Sequence, residues 1–112
     1  MHNSTSTPKI SRSIFTNNNV AAASAAGGAI YSIGGGGSID NSLFTNNNAS
    51  AIVGDAAIFT FSNNTVTSNS GSASRAGGLF LYGGSNFNIL NSIIYGNSFG
   101  SVTNAASTPT IY

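Results

Sequence analysis

Acid–base, nucleophilic or metal chemistry in this chain would fall to very few side chains: His2, Lys9, Arg12, Asp40, Asp55, Arg75 and four tyrosines. Glycoside hydrolysis needs two carboxyl groups facing one bond, and metal-assisted cleavage of acidic polysaccharides needs calcium-binding acids with an Arg or Lys base on the same face. Asp40 and Asp55 are the only carboxylate side chains; one follows a strand-like run and the other precedes the next. Both are expected to be solvated turn residues. His2 lies among polar residues at the start of the chain, where no ligand role is expected. The side chains therefore point to no catalytic, cofactor-binding or metal-binding residue, and to a protein that is not an enzyme. Two other arrays have chemistry to offer. Tyr31, Tyr82 and Tyr95 with Phe59 and Phe80 could build a strip for stacking sugars, and Thr16, Thr45 and Thr67 could build an outward row of the kind an ice-binding surface uses.

Composition narrows the field further. Charged residues make up 4% of the chain, against about a quarter in an ordinary domain, while Asn, Ser, Thr and Gly together exceed half. A net charge of +1 gives no field for a phosphate backbone or an anionic membrane, so no nucleic-acid partner is expected. Without Cys there is neither a disulfide framework nor a thiolate metal site. Residues 1–9 are polar with no apolar run behind them, unlike a secretory signal. The most apolar stretch, 20–33, is short of the ~20 residues a membrane span requires. The Phe, Tyr and Ile content is too high for a disordered chain.

The elements that would position these residues show themselves as a repeat. Residues 10–19, ISRSIFTNNN, align without a gap on 39–48, IDNSLFTNNN; further copies lie at 61–70, FSNNTVTSNS, and 89–98, ILNSIIYGNS. Three columns stand out: Ile10, Ile39, Phe61 and Ile89; Phe15, Phe44, Val66 and Ile94; and Asn18, Asn47, Asn69 and Asn97. A second motif precedes each later copy, as GGAIYSI from Gly27, AAIFTF from Ala56 and GGLFLY from Gly77. Taking Ile30, Ile58 and Phe80 as equivalent places the shortening of the middle unit in the loop corresponding to 34–38.

The segments are short, rich in Ile, Phe, Val, Thr and Tyr, and bounded by Gly or Asn, which marks them as strands. Val20 to Ala26 could be read as a helical turn, but no sustained helical periodicity appears. A unit of two short strands and its turns cannot close a core alone; stacked on copies of itself it forms a parallel β-helix with like residues about 4.8 Å apart. In that arrangement Phe15, Phe44, Val66 and Ile94 form an inward core column. Asn18, Asn47, Asn69 and Asn97 form a hydrogen-bonded ladder at a bend where Asn tolerates positive φ. The pairs Gly27-Gly28 and Gly77-Gly78 suit tight corners. Arg12, Asn41, Asn63 and Asn91 look like a second ladder, interrupted by Arg12. Ile14, Leu43, Thr65 and Ile93, if outward, form a contact stripe. Asn3-Ser-Thr, Asn48-Ala-Ser and Asn63-Asn-Thr match the glycosylation acceptor pattern, as an Asn- and Ser-rich composition makes common.

The Gly27-Gly-Ala-Ile30 motif, combined with Phe15-Thr-Asn-Asn18, Phe44-Thr-Asn-Asn47 and Phe61-Ser-Asn-Asn64, resembles the paired GGA(I/L/V) and FxxN repeats of chlamydial polymorphic outer membrane proteins. The resemblance covers residues 10–98 and implies a right-handed parallel β-helix, carried in a secreted passenger at the cell surface and acting as an adhesin. It implies no catalytic residue. The expected organisation is a polar N-terminal tail at 1–9, β-helix repeats of about three to four coils at 10–98, and an incomplete further coil or C-terminal tail at 99–112. The expected role is a non-catalytic structural or surface-display module without a cofactor, with a surface glycan or a host protein as ligand. Alternatives are a carbohydrate-binding or carbohydrate-active module, and a solenoid that stacks end to end, continues into further repeats or binds ice.

Overall fold

Three-residue runs such as Ile14-Phe15-Thr16 are too short to bury anything as isolated strands, so each pairs with its counterpart in the neighbouring coil. In the computed structural model, which describes residues 1–20 and 27–112, the first coil comprises β1 (His2–Ser4), β2 (Lys9–Ser11) and β3 (Ile14–Thr16). The second comprises β4 (Ile30–Ile33), β5 (Gly36–Asp40) and β6 (Leu43–Thr45). The third comprises β7 (Ile52–Asp55), β8 (Ile58–Ser62) and β9 (Thr65–Thr67), and the fourth β10 (Leu79–Tyr82), β11 (Asn86–Leu90) and β12 (Ile93–Tyr95). β13 (Val102–Asn104) and β14 (Thr110–Ile111) begin a fifth. Every pairing among these strands is parallel, giving sheet A (β1-β4-β7-β10-β13), sheet B (β2-β5-β8-β11-β14) and sheet C (β3-β6-β9-β12). The result is a three-sided parallel β-helix. Among the described residues there is no α-helix, and none long and apolar enough to cross a membrane; the helical turn considered for Val20 to Ala26 lies, beyond Val20, outside them.

Three expectations are corrected. A coil contains three strands rather than two, because residues 10–19 and their copies each hold two strands separated by a corner. Residues 1–9 are no free tail: β1 pairs with β4, and the Met1 amino group donates to the Ala29 carbonyl at 2.6 Å. The equivalence of Ile30 with Ile58 and Phe80 also fails, since Ile30 pairs with Ile52 and Ile52 with Leu79. The short coil is therefore shortened elsewhere. Chain runs from Asn19 to Ile30 and from Ser70 to Leu79 in the longer coils, but only from Asn48 to Ile52 in the third. The corner corresponding to 34–38 is present there as Ala56 and Ala57.

The interior is built from alternate residues of the three sheets. Phe59, Phe61 and Phe87 enter from sheet B, Ile30, Ile52, Leu79 and Leu81 from sheet A, and Phe44 and Val66 from sheet C, all fully buried or nearly so. Phe15 stacks face to face on Phe44 at 4.7 Å. Gly37 and Gly54 occupy inward positions beside Phe59 and Leu81, and a methyl at Gly54 would press on the Phe87 ring. At Gly78, an added methyl would collide with the Ser101 carbonyl in the next coil, so that approach requires glycine.

The two corners that flank sheet C follow one rule: a residue in the left-handed region, then a residue whose polar side chain serves the neighbouring coil; between sheets A and B the left-handed residue is followed by Gly35, Ala57 or Gly84 in the middle coils. Left-handed residues between sheets B and C are Arg12, Asn41, Asn63 and Asn91, and after sheet C Asn17, Asn46, Ser68 and Gly96. Between sheets A and B they are Thr5, Gly34, Ala56, Gly83 and Ala106. The bend expected at Asn18, Asn47, Asn69 and Asn97 thus falls one residue earlier. Those four asparagines are linked in series: Asn18 Nδ2 donates to Asn47 Oδ1 at 2.8 Å, Asn47 Nδ2 to Asn69 Oδ1 at 2.8 Å, and Asn69 Nδ2 to Asn97 Oδ1 at 2.9 Å. Each acceptor oxygen also takes the backbone N–H of the same asparagine one coil earlier, at 3.0–3.1 Å.

A Phe44→Ala chain should lose about 3–5 kcal/mol and an Asn47→Ala chain about 1–3 kcal/mol. Asn104→Ala, at an exposed position, should change stability by less than about 0.5 kcal/mol. Thermal and urea unfolding of the three variants checks the order; similar small shifts in all three would contradict the packing described.

Candidate functional site

The two carboxylates emerge on different sides of the prism. Asp40 ends β5 on the outer face of sheet B, accepting from Ser11 Oγ at 2.6 Å and Asn41 Nδ2 at 2.8 Å. Those hydrogen bonds, with a smaller attraction from Arg12, hold its carboxyl below the usual carboxylate range. Asp55 ends β7 on the outer face of sheet A. Among the described residues no group of three or more His, Cys, Asp or Glu is placed to hold a metal ion.

The aromatic strip is divided by the fold. Phe59 is core and Tyr95 lies on sheet C, so neither joins the others. Tyr31, Phe80 and Tyr82 do converge on the outer face of sheet A: Tyr31 and Tyr82 meet hydroxyl to hydroxyl at 3.2 Å, and Phe80 lies 5.2 Å from Tyr82. His2 stacks on Tyr31 at 5.3 Å, and the Arg75 guanidinium covers Phe80 at 5.2 Å. Val53 sits in the same outward row, between Tyr31 and Phe80, and is completely buried. The rings therefore form a second, outer apolar layer, with much of their surface spent on each other and on Val53.

Sheet C presents a different surface. Its inward column is Phe15, Phe44, Val66 and Ile94, so alternation turns Ile14, Leu43, Thr65 and Ile93 outward, as it does Thr16, Thr45, Thr67 and Tyr95. Ile14 is 70% exposed, Ile93 61% and Tyr95 74%. No charged side chain lies on this face. Beside it, along the corner between sheets B and C, runs a shallow open groove of about 520 Å³ lined by Arg12, Ser13, Ile14, Asn41, Ser42, Leu43, Asn63 and Thr65.

The groove owes its form to the corner rule, and this overturns the expected second ladder. Arg12, Asn41, Asn63 and Asn91 take the left-handed conformation and make no ladder. The ladder lies one residue on: Ser13 N donates to Ser42 Oγ at 3.1 Å, Ser42 N to Asn64 Oδ1 at 2.9 Å, and Asn64 N to Ser92 Oγ at 3.1 Å. Asn41 has its Nδ2 on Asp40, and Asn63 is exposed, whereas the buried Asn64 next to it donates its Nδ2 to the Ile39 carbonyl at 2.8 Å. A sequence signal for the true ladder existed. Ser13, Ser42, Asn64 and Ser92 all carry a side-chain oxygen and keep a constant spacing ahead of Asn18, Asn47, Asn69 and Asn97. Of the three glycosylation-type triplets, Asn3 is buried, with its amide on Ser32 Oγ and Ser6 O, whereas Asn48 and Asn63 are exposed.

The Tyr82 hydroxyl is pushed above the usual phenol range, first by burial, then by Tyr31 and Asp55. A raised acid constant in the folded state means that its contribution to stability is complete below pH 10.0, the ordinary value, and is lost as pH climbs from there through the higher folded-state value. Unfolding midpoints between about pH 9 and about pH 11 should fall more steeply for the parent chain than for Tyr82→Phe. Parallel slopes would mean that the Tyr31–Tyr82 contact does not tune this proton.

No curated protein and no solved structure matches the chain significantly. One family model matches it throughout, residues 1–112, under the description "right handed beta helix region". The whole-length match agrees with three parallel sheets repeating coil by coil, and the chain belongs to the right-handed β-helix family.

Proposed function

We propose that the chain is a non-catalytic display module of the cell surface or extracellular space, adhesin-like, whose contact surface is the outer face of sheet C with the adjoining corner. The observation that carries this reading is the charge-free face on which Ile14, Ile93 and Tyr95 are mostly solvent-exposed while the core is completed without them. Large apolar side chains exposed on the two outer strands of one charge-free side, with Leu43 and Thr65 between them, make a surface suited to meeting a partner. The separation of Asp40 from Asp55, on different sheets, supports a binding rather than a bond-breaking role. The resemblance of the Gly27-Gly-Ala-Ile30 and Phe-x-x-Asn motifs to polymorphic outer membrane protein repeats supports placement at a surface.

Beads carrying the full chain, washed over surfaces coated with polysaccharides or with extracellular proteins, test the proposal. The parent chain should be retained on at least one coating, and an Ile14→Ser/Ile93→Ser/Tyr95→Ser chain of equal melting temperature should lose most of that retention. Equal retention of both chains, or of neither on any coating, would overturn it. So would polysaccharide cleavage that disappears in Asp55→Asn.

A further inference from the structure

Two tyrosines on the outer face of sheet A meet in a way that covering the core does not require. Tyr31 in β4 and Tyr82 in β10 lie two coils and 51 residues apart, yet their hydroxyl oxygens are 3.2 Å from each other. They meet over the third coil, where Val53 pairs with Tyr31 and Asp55 with Tyr82. A phenylalanine at either place would shield Val53 as well; what the hydroxyls add is contact with one another. Neighbours hold both rings in place: His2 stacks on Tyr31 at 5.3 Å with 15° between the planes, and Phe80 packs on Tyr82 at 5.2 Å. Neither tyrosine is fully buried, so both are open to a one-electron oxidant. The other two tyrosines stand apart, Tyr95 on sheet C and Tyr112 after β14 of sheet B, and are 74% and 77% exposed.

Two reactive groups held in contact couple in a single unimolecular step, at an effective concentration that separate molecules do not reach. From this contact we infer that Tyr31 and Tyr82 are the site of an oxidative modification, an aryl ether that staples the second coil to the fourth when a haem peroxidase and hydrogen peroxide act on the folded chain. Each phenol gives up one electron to the peroxidase and its hydroxyl proton, that of Tyr82 to the facing Asp55 carboxylate and that of Tyr31 to water. The oxygen of one phenoxyl radical bonds to the carbon ortho to the other's oxygen, and the hydrogen on that carbon moves to the second oxygen, which restores a phenol. Two electrons and two protons leave in all, and they reduce one hydrogen peroxide to two waters. With the rings approaching hydroxyl first, oxygen leads, which favours the ether over a carbon–carbon link. The staple uses only sheet A and is independent of the contact surface on sheet C.

Treatment of the full chain in dilute solution with a haem peroxidase and hydrogen peroxide tests it. The intact mass should fall by two hydrogens while the chain stays single on a denaturing gel, and a proteolytic digest should contain a linked peptide pair joining Tyr31 to Tyr82. The stapled chain should unfold about 10 °C higher, because the cross-link closes a long loop of the unfolded chain. Tyr31→Phe and Tyr82→Phe, which keep the rings, should each reduce the intrachain product about tenfold or more, whereas a Tyr95→Phe/Tyr112→Phe chain should form it as the parent does. Products that join separate chains through Tyr95 or Tyr112 in place of the intrachain link, an equal mass loss in Tyr82→Phe, or a parent chain left unmodified would each overturn the staple. The fluorescence of a carbon–carbon dityrosine in the intrachain product would overturn the ether.

Discussion

Every coil depends on finding an acceptor for the backbone N–H that follows each left-handed corner residue. In a strand that donor faces the next strand's carbonyl, but at a corner the ladder of backbone partners is interrupted, and a buried unpaired N–H costs about 1–3 kcal/mol. At the two corners flanking sheet C the chain meets this by setting an oxygen-bearing side chain at the same place in the following coil, whereas between sheets A and B Gly84 N donates to the Ala106 carbonyl. Asn47, Asn69 and Asn97 do so after sheet C, Ser42, Asn64 and Ser92 between sheets B and C, and Ser85 between sheets A and B. Among the described residues no buried side-chain nitrogen or oxygen lacks a partner. The abundance of Asn and Ser is thus in part a structural requirement, imposed at the two corners that flank sheet C.

The same constraint shapes the exterior. A left-handed residue turns the chain so that the following side chain is used between coils, which leaves its own side chain outside. Identical charges at those outer positions would sit one coil apart and repel, and a chain with 4% charged residues avoids that. The outer surface consequently differs from sheet to sheet mainly through uncharged groups: clustered rings on sheet A, aliphatic and Thr rows on sheet C, and exposed asparagines along the corner between B and C.

The sequence made the parallel β-helix legible because four ten-residue copies keep their spacing between the Ile column and the Asn column, and that spacing spans two strands and a corner. The third strand was harder to read. In the shortest coil Ile52-Val-Gly-Asp55 does not resemble Gly-Gly-Ala-Ile, and the apolar run Ile58-Phe-Thr-Phe61 close by offered a more persuasive match. Hydrophobicity alone cannot fix register where Gly54 occupies an inward position to make room for Phe87 and Leu81. The outward stripe of Ile14 and Ile93 was readable from strict alternation beside a core column. The groove was not, because it depends on which of two adjacent polar residues takes the left-handed conformation; Asn63 and Asn64 are chemically identical, and only the backbone separates their roles.

The segment between the Asn ladder and sheet A runs directly from Asn48 to Ile52 in one coil and takes longer paths in its neighbours, while pairing on both sides stays in step. Length varies most at this edge of the prism; the corner between sheets A and B changes only from two residues after β7 to three after β10. That edge is where sequence can be spliced in without disturbing the stack, so a loop carrying a new specificity, natural or grafted, would find a ready-made port there on an otherwise rigid chassis.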